Sequence, residues 1–185
     1  AIIIGYPLPV LAVQILWLNF VTDGFLVVAL AVEPKHPNLL RHPFKASKYL
    51  VNWQMVLRMV PMTIVMVAGS LLLFRQYYQV DYDKAVTIAM VTLAIFQWFN
   101  AWNSRSNTQS IFSKGLMSNK YLVMATLAVI MFQILAVHWS VLQKTLHVVP
   151  LSLKEWTLAV LVSSSIIIVE ELRKFIVRKN NGPFA

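Results

Sequence analysis

Leu16-Trp17-Leu18-Asn19-Phe20-Val21-Thr22-Asp23-Gly24-Phe25-Leu26-Val27-Val28 is a membrane-compatible run with polar side chains buried in its middle. Between Ala1 and Val32 the only charged side chain is that of Asp23. A carboxylate near mid-membrane costs about 3 kcal/mol on insertion scales, so it faces a polar path rather than lipid. Helical spacing puts Asn19, Thr22 and Asp23 at i, i+3 and i+4, on one face. An amide, a hydroxyl and a carboxylate on one stripe are oxygen donors for a hard cation. Gly24 follows at once, where a helix can loosen and turn carbonyl oxygens toward a guest. Asn or Thr alone in such a helix commonly acts as interhelical glue of about 1 kcal/mol per contact. Beside an intramembrane carboxylate, the pair points instead to a cation site.

Composition agrees with a membrane solvent. The 185 residues are 58% hydrophobic and only 12% charged, and the apolar residues fall in long charge-free runs. That excludes a soluble domain and implies a multi-pass integral membrane protein whose first partner is the lipid bilayer. The absence of cysteine removes disulfides and thiolate metal sites. Residues 1–32 lack a basic n-region and are too long for a signal-peptide core. The chain is apolar from its first residue, which suggests a fragment of a longer polypeptide.

Five spans are expected, at about residues 9–32, 56–77, 85–104, 121–139 and 153–169, giving an all-α bundle of five transmembrane helices. Pro61 and Gly69-Ser70 are candidate bends in the second. The fifth is the shortest between charges, with Glu155 and Glu170 bounding it, and it relies on Trp156 at the interface and a snorkelling Lys154. The tail after Glu170 starts as a continuing helix and frays at Asn180-Asn181-Gly182-Pro183. An odd number of spans puts the termini on opposite sides. Of 16 Lys and Arg, only Arg75, Lys84, Lys144 and Lys154 belong to one side; the rest lie in the first connector with Arg58, the second connector, and the tail. By the positive-inside rule the N-terminus is outside and the C-terminus cytoplasmic. The formal charge of +9 then reflects anionic headgroups, not nucleic acid.

A second polar series lies in the third span, where Gln97, Asn100 and Asn103 recur every three residues. Asn103 reads as an interfacial helix cap and Asn100 as an interhelical hydrogen bond. Gln97 sits deeper, where its amide oxygen can complete a cation site opposite Asp23. Met90, Met124 and Met131 read as packing, and Gln133 and Ser163-Ser164-Ser165 as helix contacts. His138 and His147, without partners at ligand spacing, read as loop residues.

Gln14-Ile15-Leu16-Trp17-Leu18-Asn19-Phe20-Val21-Thr22-Asp23-Gly24 resembles the sixth transmembrane helix of P-type cation-transporting ATPases, closest to calcium pumps of the sarco/endoplasmic reticulum type and their bacterial relatives. Phe99-Asn100-Ala101-Trp102-Asn103-Ser104-Arg105-Ser106 resembles the end of that family's eighth helix. Pro150 to Trp156 and Glu170-Glu171-Leu172-Arg173-Lys174-Phe175-Ile176 resemble its tenth helix and tail. The resemblance covers residues 1–185 as helices six to ten of the transmembrane domain.

It implies cation ligation by Asn19, Thr22 and Asp23, with calcium as the expected ion and sodium or another cation as the alternative. The family's eighth-helix acid falls at Gln97; glutamine removes a charge there, as in plasma-membrane-type calcium pumps, which are thought to carry one ion. Two departures stand out: Leu26 replaces the proline usual after Asp-Gly, and Glu33-Pro34-Lys35-His36-Pro37 lacks an acidic cluster. Calcium wants about six to eight oxygens, so helices four and five of a parent pump are expected to supply the remainder. The partners implied are those helices and the cytoplasmic domains. ATP and magnesium belong to those missing domains, because neither Asp-Lys-Thr-Gly nor a glycine-rich phosphate loop occurs in these residues. The expected location is the plasma membrane, with an endomembrane as the alternative. The competing reading is a stand-alone secondary carrier or channel subunit using Asp23 for coupling, which an internal inverted repeat would favour; no similarity between halves is visible.

Overall fold

In hydrocarbon every backbone polar group must be bonded within its own segment, so the apolar runs fold as helices. In the computed structural model, residues 5–34, 53–106, 110–111 and 115–181 are described. Among them the regular elements are all helical. Helix α1 is Ala12–Ala31. Helix α2 is Trp53–Tyr77, α3 is Tyr82–Asn103 and α4 is Lys120–His138. A short α5, Ser140–Leu146, precedes the long α6, Leu153–Asn181.

Among the described residues four helices, α1 to α4, are long and apolar enough to cross a membrane. Their bounds follow the expected runs, except that α1 begins about one turn later and α2 and α3 each about one turn earlier. Helix α6 runs beyond the apolar span at 153–169, because the charged tail continues the same rod to Asn181, as expected of it. Its bounding acids are not left to lipid. Glu155 accepts from the Ser152 amide at 2.6 Å and pairs with Lys84 of α3 at 3.2 Å. Glu170 is fully buried between Arg58 of α2, at 3.2 Å, and Arg173, at 2.7 Å.

Helix α3 is the axis of the bundle, packed by α2 and α6 on one side and by α1 and α4 on the other. Its residues from Ala85 to Thr92 are all buried, as befits a helix apolar around its whole circumference. At Gly69 the α2–α3–α6 contact is tight. A methyl group there would lie 2.8 Å from Phe96 Cζ and 2.9 Å from Val162 Cγ1. Phe96 is fully buried and cannot swing away, so Gly69 permits close approach of the three helices. Gly69→Ala is therefore expected to destabilise the bundle by about 1–3 kcal/mol through overpacking. Thermal inactivation of the purified intact protein measures this; an unshifted transition means that the three helices sit farther apart.

Several expectations need correction. The segment between α4 and α6 is not all loop: α5 lies within it, and His138 is the last residue of α4. His147 adopts a left-handed backbone, φ 52°, that closes α5. Asn103 is no interfacial cap. It is fully buried, donates to the Ile166 carbonyl at 3.3 Å and accepts from Lys174 Nζ through its own carbonyl at 3.1 Å. Met124 and Met131 point outward, whereas Met90 is core. Gln133 and Ser163 do join helices, the first to Trp17 and the second to the Thr92 carbonyl. The basic residues Lys35, Arg41, Lys45, Lys48 and Lys114, the connector sequence Lys35-His36-Pro37, and Gly182-Pro183 of the tail lie outside the described residues.

Candidate functional site

The middle of α1 is not an ordinary helix. Leu18–Asp23 forms a π segment, in which the Gly24 amide donates to the Asn19 carbonyl, closing an i→i+5 ring. The wider turn holds more residues than an α turn and occurs chiefly as single-turn insertions, frequently at functional sites. Gly24 thus completes the wide turn through its amide. Its own backbone stays in the α region.

The π turn sets which side chains face inward. The buried residues of α1 are Gln14, Leu18, Thr22, Leu26 and Ala29. In a regular α-helix, steps of four drift around the axis; the wide turn absorbs that drift and keeps Leu18, Thr22 and Leu26 in one stripe. Thr22 is 1% exposed. Asn19 and Asp23 lie one position beyond Leu18 and Thr22, on the neighbouring flank. Asp23 is half-buried, and Asn19 is exposed. The expected single face of three residues is therefore split, because position i+3 rotates away from i in a π turn while i+4 stays beneath it.

Asp23 meets the second polar series. Gln97 Nε2 of α3 donates to Asp23 Oδ2 at 3.2 Å, across the α1–α3 interface. With the amide nitrogen on the carboxylate, Gln97 Oε1 points elsewhere. That oxygen is buried, with no hydrogen-bond partner among the described residues. A buried acceptor without a donor costs about 1–3 kcal/mol, and such an exception in a native fold calls for an explanation. Among the described residues no basic side chain pairs with Asp23, and none of its groups converges with two other His, Cys, Asp or Glu side chains. The oxygens available are one carboxylate, the Gln97 amide oxygen, the Thr22 hydroxyl and, on the outer flank, the Asn19 amide. Of these, the Asp23 carboxylate and the Gln97 amide are brought into contact; carboxylate, amide and hydroxyl oxygens are donors of the kind a hard cation takes, not a soft metal.

The surrounding bonds fix α1 against its neighbours. Gln14 Nε2 donates to the Leu146 carbonyl at 3.0 Å. Trp17 Nε1 donates to Gln133 Oε1 of α4 at 3.0 Å. Phe25 packs on Phe132, with ring centroids 5.7 Å apart. Gln14 and Trp17 were not singled out by sequence reasoning; an amide and an indole inside an apolar span were the available signals. Opposite these anchors, α1 presents Leu16, Phe20, Val27 and Val28 outward, with Phe20 82% exposed. Asn19 stands in that apolar surface.

Residues 7–176 match the family described as cation transporting ATPase, C-terminus. The chain belongs to that family. Among curated relatives it is 33% identical to the calcium-transporting ATPase type 2C member 1 of Mus musculus, over 98% of this chain and 21% of that protein. It is 29% identical to calcium-transporting ATPase 1 of Yarrowia lipolytica, over 98% of this chain and 20% of that protein. A calcium-transporting ATPase 1 of Bacillus cereus is also 29% identical, with 97% and 22% covered. The chain thus spans about a fifth of the length of these relatives.

Proposed function

We propose that this chain, residues 1–185, is the C-terminal part of the transmembrane domain of an ATP-driven pump that exports calcium from the cytosol. Asn19, Thr22, Asp23 and Gln97 supply oxygens to the transported ion. The contact between Asp23 and Gln97, which leaves a buried amide oxygen unpartnered, is the observation that carries the reading. A cation entering between α1 and α3 would take that oxygen together with the carboxylate and replace water lost from its shell. Similarity to proteins named calcium-transporting ATPases favours calcium. One carboxylate in place of two suits a single ion per cycle, and it keeps sodium as the second reading.

On this reading α6 is the fifth span, the N-terminus is outside, and the Glu33, Arg105 and Glu170 end of the bundle faces the cytoplasm, consistent with the positive-inside bias. The exposed face of α1 receives the further helices of the parent pump, which complete the six to eight oxygens calcium requires. Covering that face also removes the Asn19 amide from lipid. ATP, magnesium and the phosphorylated group belong to the parent's cytoplasmic domains.

The ATPase activity of the intact parent pump, assayed against calcium, manganese, sodium and potassium, tests the proposal. Stimulation by micromolar calcium is expected, and stimulation by sodium alone overturns the assignment. Gln97→Ala removes one neutral oxygen and is expected to raise half-saturating calcium about tenfold, the equivalent of losing about 1.4 kcal/mol of binding. An unchanged half-saturation in that variant removes Gln97 from the site.

A further inference from the structure

At the far end of α1 from Gln14, a second fastening holds the helix. The Arg105 guanidinium, just past the end of α3, donates through Nε to Glu33 Oε1 at 3.0 Å and Oε2 at 3.2 Å. Its Nη2 lies 2.9 Å from Glu33 Oε1. The same guanidinium donates to the Gly115 carbonyl at 3.0 Å and to Ser118 Oγ, and it lies over the Trp102 ring. Asn119, 1% exposed, completes the knot. Its Nδ2 donates to Glu33 Oε2 at 2.7 Å and to the Ala29 carbonyl at 3.1 Å, while its Oδ1 accepts from the Leu122 amide at 2.9 Å. One side chain therefore binds an orphan carbonyl in the last turn of α1 and caps the first turn of α4.

Helix α1 is thus pinned at Gln14 and again at Ala29 and Glu33, with the π turn between the pins. Charge-assisted, forked hydrogen bonds fix rotation about a helix axis in a way that apolar contacts do not. Rotation decides whether Asp23 faces Gln97, because successive side chains point in different directions around the axis. We propose that Glu33, held by Arg105 and Asn119, is a positioning residue for cation binding. It sets the rotation of α1 that aims Asp23 at the α3 oxygen. The inference rests on the cation-site reading above, and it assigns Glu33 no contact with the ion.

The test uses the intact parent pump and calcium itself, reading half-saturation and maximal rate separately. Glu33→Ala and Arg105→Ala are each expected to raise half-saturating calcium about tenfold while the maximal rate per folded molecule stays within about twofold. The double variant is expected to be no worse than either single one, because both break the same connection. Glu33→Gln, which keeps an acceptor for Asn119 and Arg105, should restore part of the affinity. Half-saturation does not depend on how much protein folds, so a merely structural role lowers yield and leaves it unmoved. Normal half-saturation in the alanine variants, or effects that simply add, overturns the inference. Asp23→Asn is the companion control: calcium dependence lost there but normal in Glu33→Ala sinks the positioning role alone. A normal calcium dependence in Asp23→Asn sinks the site reading and this inference together.

Discussion

Asp23→Asn in the intact pump is expected to abolish calcium-dependent phosphorylation. The substitution keeps the size of the side chain and its place in the π turn, so the helix packing around Leu18 and Leu26 should persist. What disappears is the single negative charge on the described part of the site. A dication stripped of water is held by Coulomb attraction in a low-dielectric setting, where a formal charge contributes far more than a neutral oxygen. An asparagine amide can also donate to Gln97 Oε1 and quench the unpartnered oxygen that the ion would otherwise take. Both effects act in one direction. The loss should exceed that in Gln97→Ala by at least an order of magnitude, or about 1.4 kcal/mol. Phosphorylation from inorganic phosphate, which needs no bound calcium on this reading, serves as the control for a folded protein.

The second large effect is structural. Glu170 is fully buried and lies between Arg58 and Arg173, which are themselves mostly covered. Lys174, 1% exposed, donates to the Asn103 carbonyl and lies 3.8 Å from Glu171. Burial pushes the Lys174 ammonium below its ordinary range, and the neighbouring carboxylates of Glu170 and Glu171 oppose that shift. Removing Glu170 leaves Arg58, Arg173 and Lys174 crowded without their central anion. Breaking a buried ion pair from one side costs about 3–5 kcal/mol, because the remaining charge stays desolvated. Glu170→Ala should therefore unfasten α2 from α6 and lower the thermal inactivation temperature more than Gly69→Ala does. Glu155→Ala, at the opposite end, should cost less, since its partner Lys84 is one-third exposed and screened. Equal effects of the two glutamate variants would mean that Glu170 is hydrated in the native protein.

The fold was readable where local pattern decides it. Charge-free runs long enough to span hydrocarbon gave α1 to α4 within a few residues of their true ends. The two acids bounding α6 were readable as letters, but their partners Lys84 and Arg58 come from other helices, and no local period announces a tertiary ion pair. Asn103 was misjudged for a related reason. Its place near a helix end suggested a cap, while the packing of α6 across it made a buried crosslink. In the candidate site, the polar composition of residues 19–23 and the pairing with Gln97 were both legible as possibilities. The π turn was not, because a 3.6-residue period was assumed. The spacing of Gln14, Leu18, Thr22 and Leu26 by four carried the clue: an inward stripe at that interval stays straight only if one turn is widened.

The central claim is that Asp23 and Gln97 grip the transported ion. Equilibrium binding of radioactive calcium to the purified intact pump, without ATP and with wild type beside Asp23→Asn, measures it most directly. The account predicts saturable, stoichiometric binding at micromolar calcium in wild type and none in the variant over the same range. Equal binding by the two proteins would contradict it.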